Sequence, residues 1–299
     1  MGDSSPQPLQ SGDRLWAIAP SGALQERQAF EQGIALWRSR GYRVELAPGY
    51  DQEWGYLAGS DRYRRQQLQQ ALADPDCRGI LCVRGGYGGA RLLEGWRWPR
   101  PAADCPLWLI GFSDITSLLW SGIAHGIAGL HGPLLTTLSQ EPDWSLQRLF
   151  DGVAGQSFAP LTGQGWGGGS AQGILLPGNL TVATHLLGTA HLPHLTGAIL
   201  ALEDVSEAPY RLDRMLTHWR MTGALQQVAG VAIGRFSRCE PPPTRPSLTV
   251  EEVLRDRLGD LGIPVVLGLP FGHDGVNAAL PVGRPARLDG DRGILEVIP

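Results

Sequence analysis

Through the first half of the chain, short apolar runs alternate with segments of helical periodicity, and this rhythm narrows the fold more than any other feature. Arg14–Ala19 reads as a strand and Gln25–Arg40 as a helix with Ile34 and Trp37 on one face and Gly41 as its stop. Arg43–Leu46 is then a second strand. Ser60 is placed to cap a helix running to Leu72. Gly79–Val83 and Leu107–Ile110 read as buried strands, the latter leading directly into Gly111-Phe112-Ser113-Asp114. Alternation of this kind predicts an α/β fold with a mostly parallel sheet flanked by helices.

The rhythm stops between about residues 153 and 173, where Gly, Gln, Ser and Pro replace it. Glycine is 41 of 299 residues, about 14% and roughly twice ordinary usage. No Gly-X-Y period runs through it, so collagen is excluded. The run Gly163–Gly169 reads as a connector. The expected organisation is an N-terminal α/β domain at 1–155, a Gly-rich linker at 156–172 and a smaller C-terminal α/β domain at 173–299 with a β-rich, barrel-like core. In that second half Gly197–Leu202, Val228–Ile233 and Pro264–Leu267 read as strands, and Pro209–Met221 and Thr249–Leu258 as helices. Thr249 and Glu252 have capping-box spacing, and Ala286–Val297 reads as a hairpin about Asp289-Gly290. Pro241–Pro243 with Pro246 reads as a stiff connection.

The net charge of −4 comes from 29 acids against 25 bases. Every base is Arg, so chemistries that need an amine, the P-loop lysine and the Schiff base, are excluded. No basic stripe suits nucleic acid. Cys77, Cys82, Cys105 and Cys239 form no CxxC pair, which fits a reducing compartment. No stretch approaches the ~20 apolar residues of a membrane helix, and the expected location is cytoplasmic. No histidine pair has tight ligand spacing, so neither a metal nor a cofactor is expected.

Four constellations can carry chemistry. Ser113, between a strand and a helix, is placed either as a nucleophile lifted above the sheet or as a helix cap; Ile115 stands where a G-x-S-x-G elbow has its second Gly. Arg84-Gly85-Gly86-Tyr87-Gly88-Gly89 follows a strand, and its backbone N–H groups suit an anion, a phosphate or an oxyanion, or simply a tight turn. Glu203 and Asp204 leave an apolar strand, placed to orient a histidine or to sit in solvent as loop acids; Arg211 and Arg214 are expected to pair with local carboxylates. His273 lies in the loop Phe271-Gly272-His273-Asp274, with His131 of His131-Gly132-Pro133 as its rival for the role of base.

Together with Ile18-Ala19-Pro20-Ser21, Gly178-Asn179-Leu180 and Pro209-Tyr210-Arg211, these motifs in this order resemble the L,D-carboxypeptidases of the serine peptidase clan that also contains the microcin C immunity peptidases. The resemblance spans nearly the whole chain, departing at Pro177 and in the Gly163–Gly169 insert. It implies a Ser-Glu-His triad of Ser113, Glu203 and His273, with an oxyanion hole from the backbone N–H groups of Gly86 and Asp114. It also implies a homodimer that removes the terminal D-alanine from murein tetrapeptides in cytoplasmic peptidoglycan recycling. Arg84, Gly85 and Tyr87 are candidate substrate contacts. The immunity branch suggests an alternative substrate, a peptidyl-aminoacyl-nucleotide conjugate. Because the three triad residues fall on both sides of the glycine-rich break, a site shared by two domains is expected.

Overall fold

The computed structural model describes residues 6–99, 106–241 and 246–298. The chain forms two compact units, Met1–Ser157 with Ala279–Val282, and Phe158–Ala278 with Gly283–Pro299.

In the first unit, β1 (Arg14–Ile18), β2 (Arg43–Leu46), β3 (Cys77–Cys82), β4 (Leu107–Gly111) and β5 (Ile127–His131) pair in parallel in the order β5-β4-β3-β1-β2. Helices α1 (Arg27–Ser39), α2 (Asp61–Ala73), α3 (Gly89–Leu92), α4 (Thr116–Gly122) and α5 (Asp143–Val153) accompany it. Helix α1 buries Phe30, Gly33, Ile34 and Trp37, one stripe at helical spacing. Gly33 is obligatory, since a Cβ there would stand 2.0 Å from the Leu135 carbonyl oxygen. The Ser60 hydroxyl caps α2 by accepting from the Tyr63 N–H, as its position predicts. Strands β3 and β4 are buried almost throughout, and Leu15, Ile18, Leu68, Ile80, Leu81 and Trp120 form the centre of the core. Each such side chain contributes about 1.5–3 kcal/mol of burial.

The second unit holds β6 (Leu161–Thr162), β7 (Gln164–Gly165), β8 (Ser170–Asn179), α6 (Leu180–Leu186), β9 (Ile199–Val205), α7 (Pro209–Met221), β10 (Gly230–Ser237), α8 (Val250–Leu258) and β11 (Val265–Leu267). After β11 the chain supplies β12 (Leu280–Pro281), an antiparallel edge strand on β5 of the first unit, and then returns for β13 (Pro285–Asp289) and β14 (Ile294–Val297). The eight strands run in the order β6-β14-β13-β8-β9-β10-β11-β7, parallel from β8 to β11 and antiparallel elsewhere. Its two edges, β6 and β7, are separated in sequence by Gly163 alone, so the sheet curls until it nearly closes. The expected barrel-like core and terminal hairpin are present, and Thr249 and Glu252 form the capping box of α8.

The glycine-rich stretch is where structure and expectation part. The linker reading of 156–172 is corrected: these residues supply β6, β7 and the start of β8. A Cβ on Gly163 would lie 2.1 Å from the Leu267 carbonyl oxygen, on Gly165 2.1 Å from that of Gly290, and on Gly168 2.4 Å from that of Ile263. Backbone meets backbone along this seam, and only glycine leaves room for it. Of the proline-rich connection, residues 242–245 lie outside the described residues, as does Cys105.

Candidate active site

Strand β4 ends at Gly111, and the chain turns at once into a single helical turn, Ser113–Ile115, that leads into α4. Ser113 is held at φ +63°, in the left-handed region where a residue with a Cβ is strained by roughly 1–3 kcal/mol. It is not the cap: that position belongs to Phe112, which makes no side-chain capping bond. Strain at a serine between strand and helix is the backbone signature of a nucleophile elbow. Gly111 permits the sharp turn, because a Cβ there would press on Cys82 and Ile115 at 3.1 Å. Ile115 itself is fully buried and packs over Gly111, so a side chain is accepted where the common elbow has its second glycine.

The Arg84–Gly88 loop leaves β3 beside this turn. A Cβ on Gly85 would stand 3.2 Å from Ser113 Oγ, so the loop backbone runs directly against the serine. Gly86 and Gly88 take φ values of +102° and +121°. Arg84 folds back, donating from Nε to Glu26 at 3.0 Å, with Nη1 where Cβ atoms of Gly22 or Gly86 would be. Tyr87 is exposed and meets Tyr56 edge-on at 5.6 Å.

Asp114 is 4% exposed. Its Oδ2 accepts the Gly89 N–H at 2.6 Å. Burial pushes its carboxyl up, against the pull of the Ser21 hydroxyl, of the Gly89 and Gly88 N–H groups and of the nearby Arg64 charge. Arg64, unremarked in the sequence, is fully buried on α2 and donates to the carbonyls of Pro20 and Gly88 and to Asp61. Its spacing to Leu68, Ala71 and Leu72 was the signal: it lies on the buried stripe, not with its exposed neighbours.

In the second unit, Glu203 and Asp204 directly precede Val205, the last residue of β9, and are buried, not solvated loop acids. His273 Nδ1 lies 2.6 Å from Glu203 Oε2, and Glu203 Oε1 accepts from Asn179 Nδ2 at 3.2 Å. Asn179 pairs in register with Glu203 from the end of β8, where it also caps α6. Its amide donates to Asp204 as well, which accepts the N–H and hydroxyl of Thr181. Burial, and then the charge of Glu203, push the Asp204 carboxyl up to about 6. Gly272, at φ +118°, lets the histidine loop approach: a Cβ there would be 3.0 Å from that of Glu203. The Ser237 hydroxyl donates to the His273 carbonyl at 2.6 Å, and Arg238 pairs with Asp274 at 2.7 Å.

His131 is buried at the end of β5, in register with Gly111 and tilted against Phe112 at 5.8 Å. Arg211 pairs with Glu207 at 3.3 Å, whereas Arg214 lies over the Tyr210 ring. The three described cysteines are free and buried. No helix among the described residues is long and apolar enough to cross a membrane.

The first unit thus carries a strained serine at the end of a parallel strand, and the second a histidine–glutamate pair on a curled sheet. Residues 16–132 match the N-terminal domain of the LD-carboxypeptidases and residues 172–288 their C-terminal domain; the chain belongs to this carboxypeptidase family. A Synechocystis protein with a provisional carboxypeptidase name is 59% identical over 98% of this chain and 97% of its own. The murein tetrapeptide carboxypeptidase of Pseudomonas aeruginosa is 32% identical over 97% of each chain. The crystal structure of muramoyltetrapeptide carboxypeptidase from Oxalobacter formigenes superposes with a TM-score of 0.84 at 28% identity, covering 95% of this chain and 97% of that one. The microcin C7 self-immunity protein MccF shares the fold, with a TM-score of 0.86 over 98% of each chain at 19% identity.

Proposed function

We propose that this protein is a serine-type L,D-carboxypeptidase that releases the terminal D-alanine from murein tetrapeptides, with Ser113, His273 and Glu203 as its triad. The reading is carried by one observation in each unit: a serine strained at φ +63°, and a histidine whose Nδ1 is 2.6 Å from a fully buried glutamate. A serine hydroxyl is a weak nucleophile at neutral pH and needs this kind of partner. His273 takes the Ser113 proton through Nε2 as Oγ attacks the scissile carbonyl. Glu203 fixes the tautomer by accepting the Nδ1–H and stabilises the imidazolium that forms. The carbonyl oxygen gains charge and is received by the N–H groups of Gly86 and Asp114, each contributing about 10²–10³-fold to kcat. His273 then returns its proton to the departing amine of D-alanine, and water resolves the acyl-enzyme by the same steps in reverse.

A carboxypeptidase must also read a free carboxylate. Arg84 is assigned that task, since its guanidinium lies against Gly86 and Glu26, its anionic partner among the described residues, is half exposed. Gly85, whose backbone runs against Ser113, and the exposed Tyr87 of the same loop are assigned to the substrate as well. The reading extends to murein recycling in the cytoplasm, supported by the murein-named relatives, and to the homodimer that the family resemblance implies. A side-by-side assay tests the substrate assignment: a murein tetrapeptide ending in D-alanine, the same peptide ending in L-alanine, and a peptidyl-aminoacyl-sulfamoyl-adenylate. Cleavage of the first alone, or at least tenfold faster than the others, is the expected result. Preference for the adenylate would move the chain to the immunity branch.

A further inference from the structure

The two backbone donors assigned to the oxyanion hole, Gly86 and Asp114, belong to separate segments of the chain, so their spacing depends on contacts between those segments. The Asp114 side chain bridges them. Its carboxylate takes the Gly89 N–H at 2.6 Å, while Arg64 holds the Gly88 carbonyl at 2.8 Å, so the Gly88–Gly89 peptide unit is held from both sides. Gly89 is shaped to this contact: a Cβ there would lie 2.9 Å from Asp114 Oδ2 and 2.7 Å from Ser117 Oγ. Desolvating a carboxylate and a guanidinium is costly, and a neutral Ser or Asn suffices to satisfy a turn N–H group. A charged acceptor gives shorter, stronger and more directional bonds than a neutral one. Resting on the serine-hydrolase reading above, we infer that the Asp114 carboxylate is a positioning residue that sets the oxyanion hole by fixing the Gly85–Gly89 loop against the Ser113 turn.

Asp114→Asn keeps the shape of the side chain and replaces one acceptor oxygen by a donor. Gly89→Ala attacks the same contact from the other side and serves if the first variant folds poorly. Both are predicted to lower kcat for D-alanine release, and the rate at which a fluorophosphonate labels Ser113, by about 10²-fold with KM changed less than about threefold. Combining them is predicted to add little, because both remove one contact. Wild-type labelling rate and kcat in both variants overturn the inference, as does a loss confined to KM or to the fraction of active protein. If the wild type labels at Ser113 and the variants label slowly, yet no tetrapeptide is cleaved, the substrate reading fails and this inference stands. Failure of the wild type to label overturns both.

Discussion

At Ser113 backbone strain and the proposed chemistry coincide. Replacing it with glycine removes the Cβ that makes φ +63° costly, so Ser113→Gly is predicted to be more stable than wild type by about 1 kcal/mol in urea unfolding while losing D-alanine release. Equal or lower stability would mean that the strained conformation is not carried by the native fold. For the base, Glu203→Gln keeps the shape but no longer favours the Nδ1–H tautomer, and kcat is predicted to fall by about 10³-fold or more. Asp204 gives a pH signature. Its carboxyl, lifted to about 6 from 3.8, holds a proton in the folded chain that the unfolded chain has already lost. Between those values folding binds protons, so stability falls as pH rises, by at most about 1.4 kcal/mol per unit from this group. Relative to Asp204→Asn, the wild type should lose stability between about pH 4 and 6.5; parallel curves would contradict the assignment.

At the scale of elements, the strands and helices of the first unit were legible because each had its own period and stop signal: the Phe30, Ile34, Trp37 stripe, the Ser60 cap, the apolar run of β4. What stayed hidden was long-range. Composition cannot distinguish a flexible glycine run from one squeezed between two backbones, and Gly163–Gly169 is the second kind. The prediction follows from the seam: Gly163→Ala or Gly165→Ala lowers the melting temperature by several degrees, where a solvated linker would tolerate either change. A melting temperature within a degree of wild type would count against the seam. Arg64 was hidden for a similar reason: besides Asp61, three residues away, its partners are carbonyls 24 and 44 residues away in sequence. Glu203 and His273 were legible as members of ordered motifs, while Asn179, which joins Glu203 to Asp204, was seen only as part of Gly178-Asn179-Leu180.

At the scale of the whole molecule, the two-part organisation was visible in the break of rhythm, but its bounds were not. The first unit runs to Ser157 and recruits Ala279–Val282 as well, because β12 adds to the edge of β5, a pairing no local pattern announces. Of the proposed triad, Ser113 is the residue on which everything proposed here depends. The most direct measurement is the release of D-alanine from a murein tetrapeptide, followed by mass spectrometry for the wild type and for Ser113→Ala. Steady release by the wild type, falling at least about 10⁴-fold in the variant, is the predicted result. No release by the wild type, or equal release by Ser113→Ala, would contradict it.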